Sequence, residues 1–350
     1  MNGPNDPCPL GARPQPLISI VLPVRNAKQT FQQCLDSILK QSLRNYELLI
    51  VDDHSSDGSL SLARRLSAND DRIRILANPG KGLVSALNHG LHQSAAPLVA
   101  RMDADDRMHP QRLRLQYDHL RRHPRITVLG CGSRPFPEHL IQTGLREYIR
   151  WQNQCNHPEQ IGDEIYIESP FAHPSVIFRK QPILGLGGYR KGAFPEDYDL
   201  WLRLHQAGCR MEKLPEILLD WRDYPTRTSR TDPRCSRQAF DALRAHYLAR
   251  DKRLLERREE LVFWGAGRKT RKRCRLLMEQ GFQPQAWIDI DPKKIGNRLS
   301  GTPVVSPHWL SGGERRFVLV YVTNHGARDL IARDLQGMGY QRGRDYLMVG

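Results

Sequence analysis

The chain has 350 residues, enough for about two domains, and its hydrophobic fraction of 39% indicates packed cores rather than disorder. No apolar run approaches the roughly 20 residues of a membrane-spanning helix, so the sequence predicts no such span. Residues 1–16 are rich in Pro and Gly and lack the apolar core of a signal peptide, so we expect a flexible tail and a cytoplasmic protein.

The net charge is +15, and much of the excess of Lys and Arg falls within residues 221–280. A basic segment suits nucleic acid, an anionic membrane surface or a phosphate-bearing substrate, and it is equally typical of exposed Arg-rich helices. No helix-turn-helix, aromatic RNA-binding strand or zinc pattern accompanies it, so we expect no nucleic-acid partner. The seven cysteines are scattered and form no Cys-x-x-Cys pair, which indicates reduced thiols.

Apolar, β-branched runs alternate with amphipathic patterns over the first hundred residues. The runs suit buried parallel strands, and the patterns between them place apolar residues on one helical face. This order predicts an α/β fold with a doubly wound, mainly parallel, Rossmann-like sheet. We predict strands at residues 17–24, 46–51, 73–76 and 98–102 and helices at residues 27–41 and 83–93, with Ser56 or Asp57 capping the helix after the second strand.

Polar residues follow each of these strands. In an open α/β sheet the carboxyl ends of the strands meet at one crevice, where ligands bind. An aspartate after the second strand suits a base or a ribose, and backbone amides together with Arg25 suit phosphate, although turn and cap chemistry remains an alternative for the aspartates. The residues that we expect to converge there are Pro23, Arg25, Asn26, Asp52, Asp53, Lys81 and Asp103.

The fourth strand ends in the sequence Asp103-Ala104-Asp105-Asp106. Magnesium and manganese prefer hard oxygen ligands, commonly one or two carboxylates together with oxygens of a substrate phosphate. Asp103 and Asp105 are therefore candidate ligands of Mn²⁺ or Mg²⁺. A solvated acidic turn is the simpler alternative.

A second pair of carboxylates, Glu196 and Asp197, follows Pro195 at the predicted start of a helix. Acidic residues favour a helix N-terminus by themselves. They also suit proton transfer, because a hydroxyl group is a poor nucleophile until a nearby carboxylate accepts its proton. Both interpretations are compatible with the sequence.

A basic helical pattern at residues 236–260 predicts a connector, and a second, smaller α/β unit is predicted at residues 261–350. Gly265, Gly267 and the later Asp289 match half of a dinucleotide-binding fingerprint, whose third glycine is missing here. The unit is therefore a candidate second nucleotide site. The partial match favours a structural or regulatory role.

Six motifs occur in a fixed order between residues 17 and 235: LISIVLPVRNA, ELLIVDDHSSDGS, ARMDADD, SPFAHPSVIFRK, GGYRKGAFPEDYDLWLRL and LPEILLDWR. Together they resemble the inverting family 2 glycosyltransferases, whose nucleotide-sugar-binding fold is called GT-A. The resemblance implies a GT-A domain at residues 17–235, followed by the connector and an accessory Rossmann-like domain.

The resemblance also implies roles for individual residues. The segment between the metal and base motifs forms the acceptor side in GT-A enzymes, which makes Trp151 and His173 acceptor candidates, although Trp151 equally suits a packed core. The implied roles are nucleotide binding for Pro23, Asn26 and Asp53, metal binding for Asp103 and Asp105, and general-base catalysis for Asp197, with Glu196 beside it.

The chain departs from the family pattern at two places. Arg25 stands where an aromatic residue is common, and Tyr224 stands where many relatives have a histidine that approaches the metal or diphosphate. The resemblance therefore supplies no third protein ligand of the metal at this position, although Arg222 or Arg227 suits phosphate.

The sequence thus predicts a metal-dependent, inverting glycosyltransferase that moves a sugar from a nucleotide-sugar, with UDP expected, to a saccharide or lipid-linked acceptor in bacterial cell-surface polysaccharide synthesis. The basic segment would suit peripheral contact with an anionic inner membrane face. One alternative is a non-catalytic nucleotide-sugar-binding assembly module. A sugar nucleotidyltransferase is less favoured, because the segment after the first strand lacks a glycine-rich loop.

Overall fold

The computed structural model describes residues 15–322 and 326–350. Most of the predicted flexible tail, residues 1–16, therefore lies outside the described residues. Two β-sheets and the helices packed on them account for most of the described chain.

The first sheet contains the predicted parallel strands and extends beyond them. Its strands are β1 Ile18–Val24, β2 Tyr46–Asp52, β3 Ile73–Ala77, β4 Leu98–Arg101, β5 Arg107–Met108, β6 Ile126–Phe136, β7 Ile177–Arg179 and β8 Arg210–Arg222. Their order across the sheet is β3–β2–β1–β4–β7–β6–β8–β5. β1 pairs in parallel with β2 and β4, whereas β7 is antiparallel to both of its neighbours. The doubly wound, mainly parallel architecture is confirmed.

Helices cover both faces of this sheet. They are α1 Lys28–Leu39, α2 Ser59–Ser67, α3 Leu83–Gln93, α4 Arg112–Arg122, α5 Thr143–Gln154, α6 Pro158–Glu164, α7 Lys180–Gly185 and α8 Glu196–Gln206. Successive residues of β1 point to opposite faces and join different buried clusters: Ile20 packs with Phe31 of α1, and Val21 packs with Leu87 of α3. Burial on both faces explains why these strands are continuously apolar.

The loop after β2 differs from the predicted capping pattern. Gly58, with φ of 91°, is the N-cap of α2, so neither Ser56 nor Asp57 occupies that position. The Asp57 carboxylate instead accepts hydrogen bonds from the amides of Ser59 at 3.0 Å and Lys28 at 2.8 Å. It thereby ties the loop after β2 to the start of α1, and the two strand ends stay together.

The predicted connector is not one continuous helix. It consists of α10 Arg237–Leu248 and α11 Lys252–Glu256, preceded by the short α9 Thr228–Thr231. Asp251 ends the first helix pattern and caps α11 by accepting a hydrogen bond from the Arg253 amide at 2.9 Å. α10 is also packed rather than free, because Leu243 and Leu248 are buried in the same cluster as residues of both sheets.

The second sheet lies in the C-terminal part of the chain. Its strands are β9 Leu261–Trp264, β10 Ala286–Ile288, β11 Arg298–Leu299, β12 Thr302–Val305, β13 Phe317–Val320 and β14 Tyr346–Met348, with helices α12 Arg268–Met278 and α13 Ala327–Gly337. The order is β11–β12–β10–β9–β13–β14, parallel throughout except for the β11–β12 pair. This sheet is Rossmann-like, as predicted; β11 and β14 were not anticipated. The domain bounds 17–235, 236–260 and 261–350 stay a prediction.

The two sheets are joined by a polar network and a shared apolar cluster. The Asp251 carboxylate accepts a hydrogen bond from the Tyr166 hydroxyl at 2.9 Å, and Arg253 pairs with both Asp251 and Asp163. Arg342 pairs with Glu164 of α6 across the same boundary. Because one buried cluster includes residues from both sheets, the C-terminal part packs firmly against α6 and its surroundings.

The sequence also led to predictions about membrane-spanning helices and about the state of the cysteines. Within residues 15–322 and 326–350, the structure contains no helix that is both long and apolar enough to cross a membrane. The six cysteines in the same ranges are free thiols, and Cys8 lies outside them.

We expect Asp251→Ala to lower the free energy of unfolding at pH 7 by about 2–4 kcal/mol, because it removes a helix cap and leaves Arg253 with one fewer partner. Burial alone would raise the pKa of Asp251, but hydrogen bonds from His205, Arg253 and Tyr166 hold it well below its usual range. This stabilisation is therefore present at neutral pH and is lost as the pH falls through the folded-state pKa.

Urea unfolding of both proteins between pH 3 and pH 7 measures this difference. The exposed Asp36→Ala serves as the control, with a change of no more than about 0.5 kcal/mol. An Asp251→Ala protein as stable as wild type at pH 7 would contradict the assigned role of the network.

Candidate functional site

A cavity of ≈1710 Å³ opens at the carboxyl ends of β1, β2 and β4. Typical small-molecule pockets measure about 300–1,000 Å³, so this cavity has room for more than one substrate. One end is lined by Pro23 and Asp53, the middle by Asp103 and Asp197, and the far end by Arg328 of α13. The first sheet, α8 and the C-terminal part therefore all contribute to a single cavity.

Asp53 is the fixed polar group at the first end. It is 4% exposed, and its carboxylate accepts hydrogen bonds from the Asn78 side chain at 2.7 Å and the Gly82 amide at 2.9 Å. Arg25 lies 3.6 Å from its other oxygen and is largely exposed. Two donors hold this carboxylate in position, while the exposed Arg25 side chain lines the cavity, where it suits contact with an anion.

Asn26 shapes the neighbouring loop. Its φ of 52° is left-handed, and its side-chain oxygen accepts a hydrogen bond from the Ser56 amide at 2.8 Å. Pro23 is buried at the end of β1, beside Val51 of β2. Both residues line the cavity, so the structure brings Pro23, Asn26 and Asp53 together as predicted from the strand ends.

Asp52 and Lys81 do not line this cavity. The Asp52 carboxylate accepts a hydrogen bond from the Ser55 amide at 3.3 Å, which is the turn chemistry that the sequence left as an alternative. Lys81 is exposed on the loop before α3, whereas the adjacent Gly82 lines the cavity. The structure offers no support for nucleotide binding by either side chain.

Three carboxylates meet at the end of β4. Asp103, Asp105 and Asp106 each offer an oxygen, and these oxygens lie within 4.8 Å of one another. Burial first, and then the neighbouring carboxylates, raise the pKa of Asp105 and raise that of Asp106 more strongly. The buried Oδ2 of Asp106 has no hydrogen-bond partner in the described structure. Clustered hard oxygens with an unpaired buried atom fit a divalent cation such as Mn²⁺ or Mg²⁺.

The sequence analysis named Asp103 and Asp105 as metal candidates and omitted Asp106. In the structure Asp106 has a second role, since its Oδ1 accepts a hydrogen bond from the Arg222 amide at 2.7 Å and so supports the backbone. The signal was nonetheless present in the sequence, since Asp106 directly continues the acidic motif.

Tyr224 takes the place that the family comparison assigned to a histidine. Its hydroxyl donates a hydrogen bond to Asp105 Oδ2 at 3.0 Å. Tyr224 therefore orients a carboxylate of the cluster, in the manner of the outer groups that surround metal ligands.

Arg222 is engaged in holding the backbone. Its Nε donates to the Asp105 carbonyl and its Nη2 to Gln33 Oε1, both at 2.7 Å. Arg222 and Arg227 both line the cavity, and Arg227 lies over the Trp221 ring with its Cζ 4.1 Å from the ring centroid. Its charge lowers the pKa values of Asp105 and Asp106 against the effect of burial. Arg227 is thus better placed than Arg222 to meet a phosphate.

Asp197 and Glu196 form the first turn of α8 and line the middle of the cavity. One Asp197 oxygen accepts a hydrogen bond from the Tyr198 amide at 2.8 Å. Burial, followed by the charge of Glu196, raises the pKa of Asp197 to about 7. A carboxylate with this pKa suits a general base at neutral pH.

A buried ion pair keeps α8 in position. Asp199 accepts hydrogen bonds from Arg203 Nε at 2.8 Å and from the Tyr247 hydroxyl of α10 at 2.6 Å. Arg203 also donates to the Leu186 and Gly188 carbonyls. This network therefore anchors α8, the helix that carries Asp197 in its first turn.

Arg101 links the two carboxylate clusters, and the sequence analysis did not single it out. It is 3% exposed at the end of β4, pairs with Asp103 and lines the cavity. Its charge also acts on Asp197 and Glu196, where it partly offsets the effect of burial on their pKa values. Arg101 is thus the central cation of the site.

His173 is a buried wall residue. Its Nε2 lies 3.0 Å from the Tyr189 hydroxyl, and its Nδ1 lies 3.9 Å from Glu196 Oε1. Burial, and then the charge of Arg101, hold its pKa well below the usual range, so the imidazole is neutral. It lines the cavity beside Glu196; a direct role with the acceptor stays a prediction.

Aromatic side chains line the cavity beyond Asp197. Trp151 is half-buried and donates from Nε1 to Glu164 Oε2 at 2.6 Å. The Tyr148 ring centroid lies 6.0 Å from that of Trp151 and 6.5 Å from that of Trp221. Trp151 also packs against the second-sheet core, so both interpretations given for it from the sequence hold in part.

The glycine turn after β9 makes its contacts with other residues of the second sheet. Asp289 is 8% exposed, and its carboxylate accepts hydrogen bonds from the Ala266 amide at 3.0 Å and from Lys294 at 3.2 Å. A side chain at Gly265 would meet Thr270, and Gly267 is the N-cap of α12. The turn is therefore satisfied internally, which favours a structural role over a second nucleotide site.

Comparison with known proteins bears on this cavity. The family model described as Glycosyl transferase family 2 matches residues 19–184. The matched residues include Asp53 and the acidic cluster after β4, whereas Asp197 and the second sheet lie beyond them.

Two named relatives extend the match. The amylovoran biosynthesis glycosyltransferase AmsE of Erwinia amylovora is 30% identical over 206 residues, which are 58% of this chain and 75% of AmsE. The O-antigen biosynthesis glycosyltransferase WbnJ of Escherichia coli is 30% identical over 220 residues, which are 61% of this chain and 83% of WbnJ.

A solved structure has a similar fold. The crystal structure of S. aureus TarS 1-349 in complex with UDP-GlcNAc has a TM-score of 0.52 and 15% sequence identity. The similarity covers 67% of this chain and 72% of the TarS chain.

We expect Tyr224→Phe to weaken Mn²⁺ binding in the presence of UDP by about tenfold, because Asp105 loses the hydrogen bond that orients it. Isothermal titration calorimetry measures the affinity. Tyr117→Phe on α4 is the control and should bind as wild type does. Equal affinities for Tyr224→Phe and wild type would show that the phenol does not support the site.

Proposed function

Because this chain belongs to glycosyltransferase family 2, we propose that it transfers a sugar from a nucleotide-sugar to a hydroxyl group of a saccharide or lipid-linked acceptor. One observation carries the proposal. A single cavity is lined by Asp103 and Asp105, two members of the three-carboxylate cluster at the end of β4, and by the separate carboxylate of Asp197 with its raised pKa.

The donor occupies the end of the cavity near Asp53. A fixed carboxylate beside Pro23 and Asn26 suits the base and ribose, and Arg25 with Arg227 suits the phosphates. UDP is the expected nucleotide, in keeping with the UDP-GlcNAc bound in the TarS structure of similar fold.

Asp103 and Asp105, which line the cavity, would hold a divalent cation, Mn²⁺ or Mg²⁺, together with the adjacent buried Asp106. When bound, such an ion offsets the negative charge that grows on the departing diphosphate. Arg227 adds a fixed positive charge at the same end, and Tyr224 keeps Asp105 oriented.

Asp197 is the general base. It takes the proton of the acceptor hydroxyl as the hydroxyl oxygen bonds to the anomeric carbon and the bond from that carbon to the nucleotide diphosphate breaks. Attack from the face opposite the leaving group inverts the anomeric configuration. Glu196 keeps the pKa of Asp197 high enough to hold the proton, and Arg101 limits that rise.

The acceptor lies beyond Asp197, against the aromatic wall of Tyr148, Trp151 and Trp221. Aromatic faces of this kind suit sugar rings. The relative WbnJ is named for O-antigen biosynthesis, which supports a place in bacterial cell-surface polysaccharide synthesis. The basic α12 suits peripheral contact with an anionic membrane on the cytoplasmic side.

A non-catalytic binding module is the alternative. It would keep Asp53 and the acidic cluster, but it would have no need of a buried network that fixes α8 and of an arginine between the two clusters. A sugar nucleotidyltransferase is disfavoured because the chain has no glycine-rich loop after β1.

We expect UDP with Mn²⁺ to raise the melting temperature, since a ligand at a hundredfold excess over its Kd stabilises the folded state by about 2.7 kcal/mol. Asp105→Asn should abolish the metal-dependent part. The exposed Asp36→Asn and the second-sheet Asp289→Asn, compared at their own baselines, should keep it. A metal-dependent shift that survives in Asp105→Asn but disappears in Asp289→Asn would place the nucleotide at the second sheet.

We expect Asp197→Asn to lower kcat by about 10²–10⁴-fold while leaving UDP binding unchanged, because only proton transfer is lost. Glu196→Gln should shift the rising acidic limb of the pH profile of kcat to lower pH, since removing the Glu196 charge lowers the pKa of Asp197 and the base works deprotonated. Release of UDP from UDP-sugars between pH 5 and pH 9 measures both effects. Turnover at wild-type rate in Asp197→Asn would contradict the assignment of the base.

A further inference from the structure

The far end of the cavity is built by the C-terminal part of the chain, outside the residues that the family model matches. Arg328, in the first turn of α13, lines it together with Arg342 and Met348. Arg244 of α10 and Glu168 after α6 line the same cavity and lie close enough to act electrostatically on Arg328. The acceptor half of the cavity therefore ends against arginines that this chain adds to the family fold.

Arg244 is a buried cation with an unused donor in this wall. It is 5% exposed, and its Nη1 donates to Asp241 at 3.0 Å. Its Nε is buried and has no hydrogen-bond partner in the described structure. A buried guanidinium nitrogen without a partner is costly unless a ligand completes it.

Arg328 lies near Arg244 and is less buried. Its guanidinium makes no hydrogen bond to any described residue and has no carboxylate oxygen of the described chain within 4.0 Å. Burial lowers the pKa of Arg328, the nearby Glu164 raises it, and the charge of Arg244 lowers it further. Two neighbouring guanidinium groups repel each other, and an anion between them relieves that repulsion.

The carboxylates near Arg328 either form ion pairs and hydrogen bonds with other residues or are exposed to water. Glu164 pairs with Arg342 and accepts from Trp151, and Asp241 is shared between Arg244 and Arg273. Glu168 accepts a hydrogen bond from the Ser169 amide and also faces Arg244 and Arg237. Asp329 is exposed to water. None of them accepts a hydrogen bond from Arg328 within the described chain.

We propose that Arg328 and Arg244 bind an oxyanion of the acceptor, a phosphate or a carboxylate carried by a saccharide, and that the C-terminal part thereby selects anionic acceptors. The site lies beyond Trp151, whose ring suits a sugar face. The neighbouring Arg237, at the start of α10, lines the same space. This inference rests on the proposed function, since it assigns the acceptor half of the same cavity.

The test uses the full chain with saturating UDP and Mn²⁺, so that charged probes are kept from the donor end. Saturation-transfer NMR compares glucose 1-phosphate, methyl glucuronide and the neutral methyl glucoside. We expect at least one charged probe to bind about tenfold more tightly than the neutral one, as a charge-assisted hydrogen bond predicts. The phosphate and carboxylate arms identify which oxyanion the site prefers.

Arg328→Gln should reduce the binding of the charged probe to the level of methyl glucoside, and Arg328→Lys should give an intermediate affinity, because lysine keeps the charge without the fork of donors. Arg333→Gln, exposed on the same helix, should bind as wild type does. The stabilisation by UDP and Mn²⁺ should be unchanged in all three variants, which also shows that they are folded.

Charged probes that bind no better than methyl glucoside, or that bind Arg328→Gln as they bind wild type, would overturn the proposal. Failure of UDP and Mn²⁺ to stabilise the wild-type protein would instead contradict the proposed function. The two failures are thus observed in different measurements.

Discussion

Concentrated negative charge at the end of β4 is the constraint on which the site depends. Three carboxylate oxygens within 4.8 Å repel one another by on the order of 3 kcal/mol for each pair at an effective dielectric constant near 20. Whole domains are stable by only about 5–15 kcal/mol, so the fold must compensate for this repulsion. It does so with the buried Arg101, with hydrogen bonds from Arg222 and Tyr224, and with protonation favoured by burial.

The compensating groups come from distant parts of the chain. β8 and the loop after it deliver Arg222, Tyr224 and Arg227, more than a hundred residues after the acidic motif. Asp197 arrives on α8, whose orientation is fixed through Asp199 by α10. The first sheet thus supplies the acidic cluster, and the segments after it supply the charges that make the cluster usable.

The C-terminal sheet acts on the same cavity from the other side. It packs on α6 through Arg342 and through the Asp251 network, and its α13 closes the far end. The glycine turn that suggested a second nucleotide site is satisfied by Asp289. The C-terminal part therefore contributes to the cavity through its arginines, Arg328 and Arg342, which line the acceptor half.

The first four strands could be predicted because β-branched apolar runs and strand-end polar residues are local signals, whereas the order of the strands across the sheet was not predicted. The side chains that enter the cavity could not be predicted, because the direction of a side chain beyond the end of a strand is set by the geometry of the loop. Asp53 enters and the adjacent Asp52 does not, and Lys81 lies outside while Gly82 lines the wall.

Two misses have different causes. The break at Asp251 was readable as a helix cap within a basic helical pattern, so the signal was present and was overlooked. Arg101 and Arg328 were not readable, because they act on groups far away in the sequence: Arg101 on Glu196 and Asp197, and Arg328 with Glu164 and Arg244. Periodicity carries no information about such long-range pairing.

The most direct test of the central claim is a crystal structure of the protein with UDP and Mn²⁺, in which anomalous scattering locates the ion. The account predicts an ion between Asp103, Asp105 and Asp106, a diphosphate on the ion, and uridine beside Asp53, with Asp197 left open toward the aromatic wall. An ion elsewhere, or UDP bound at the glycine turn of the second sheet, would contradict it.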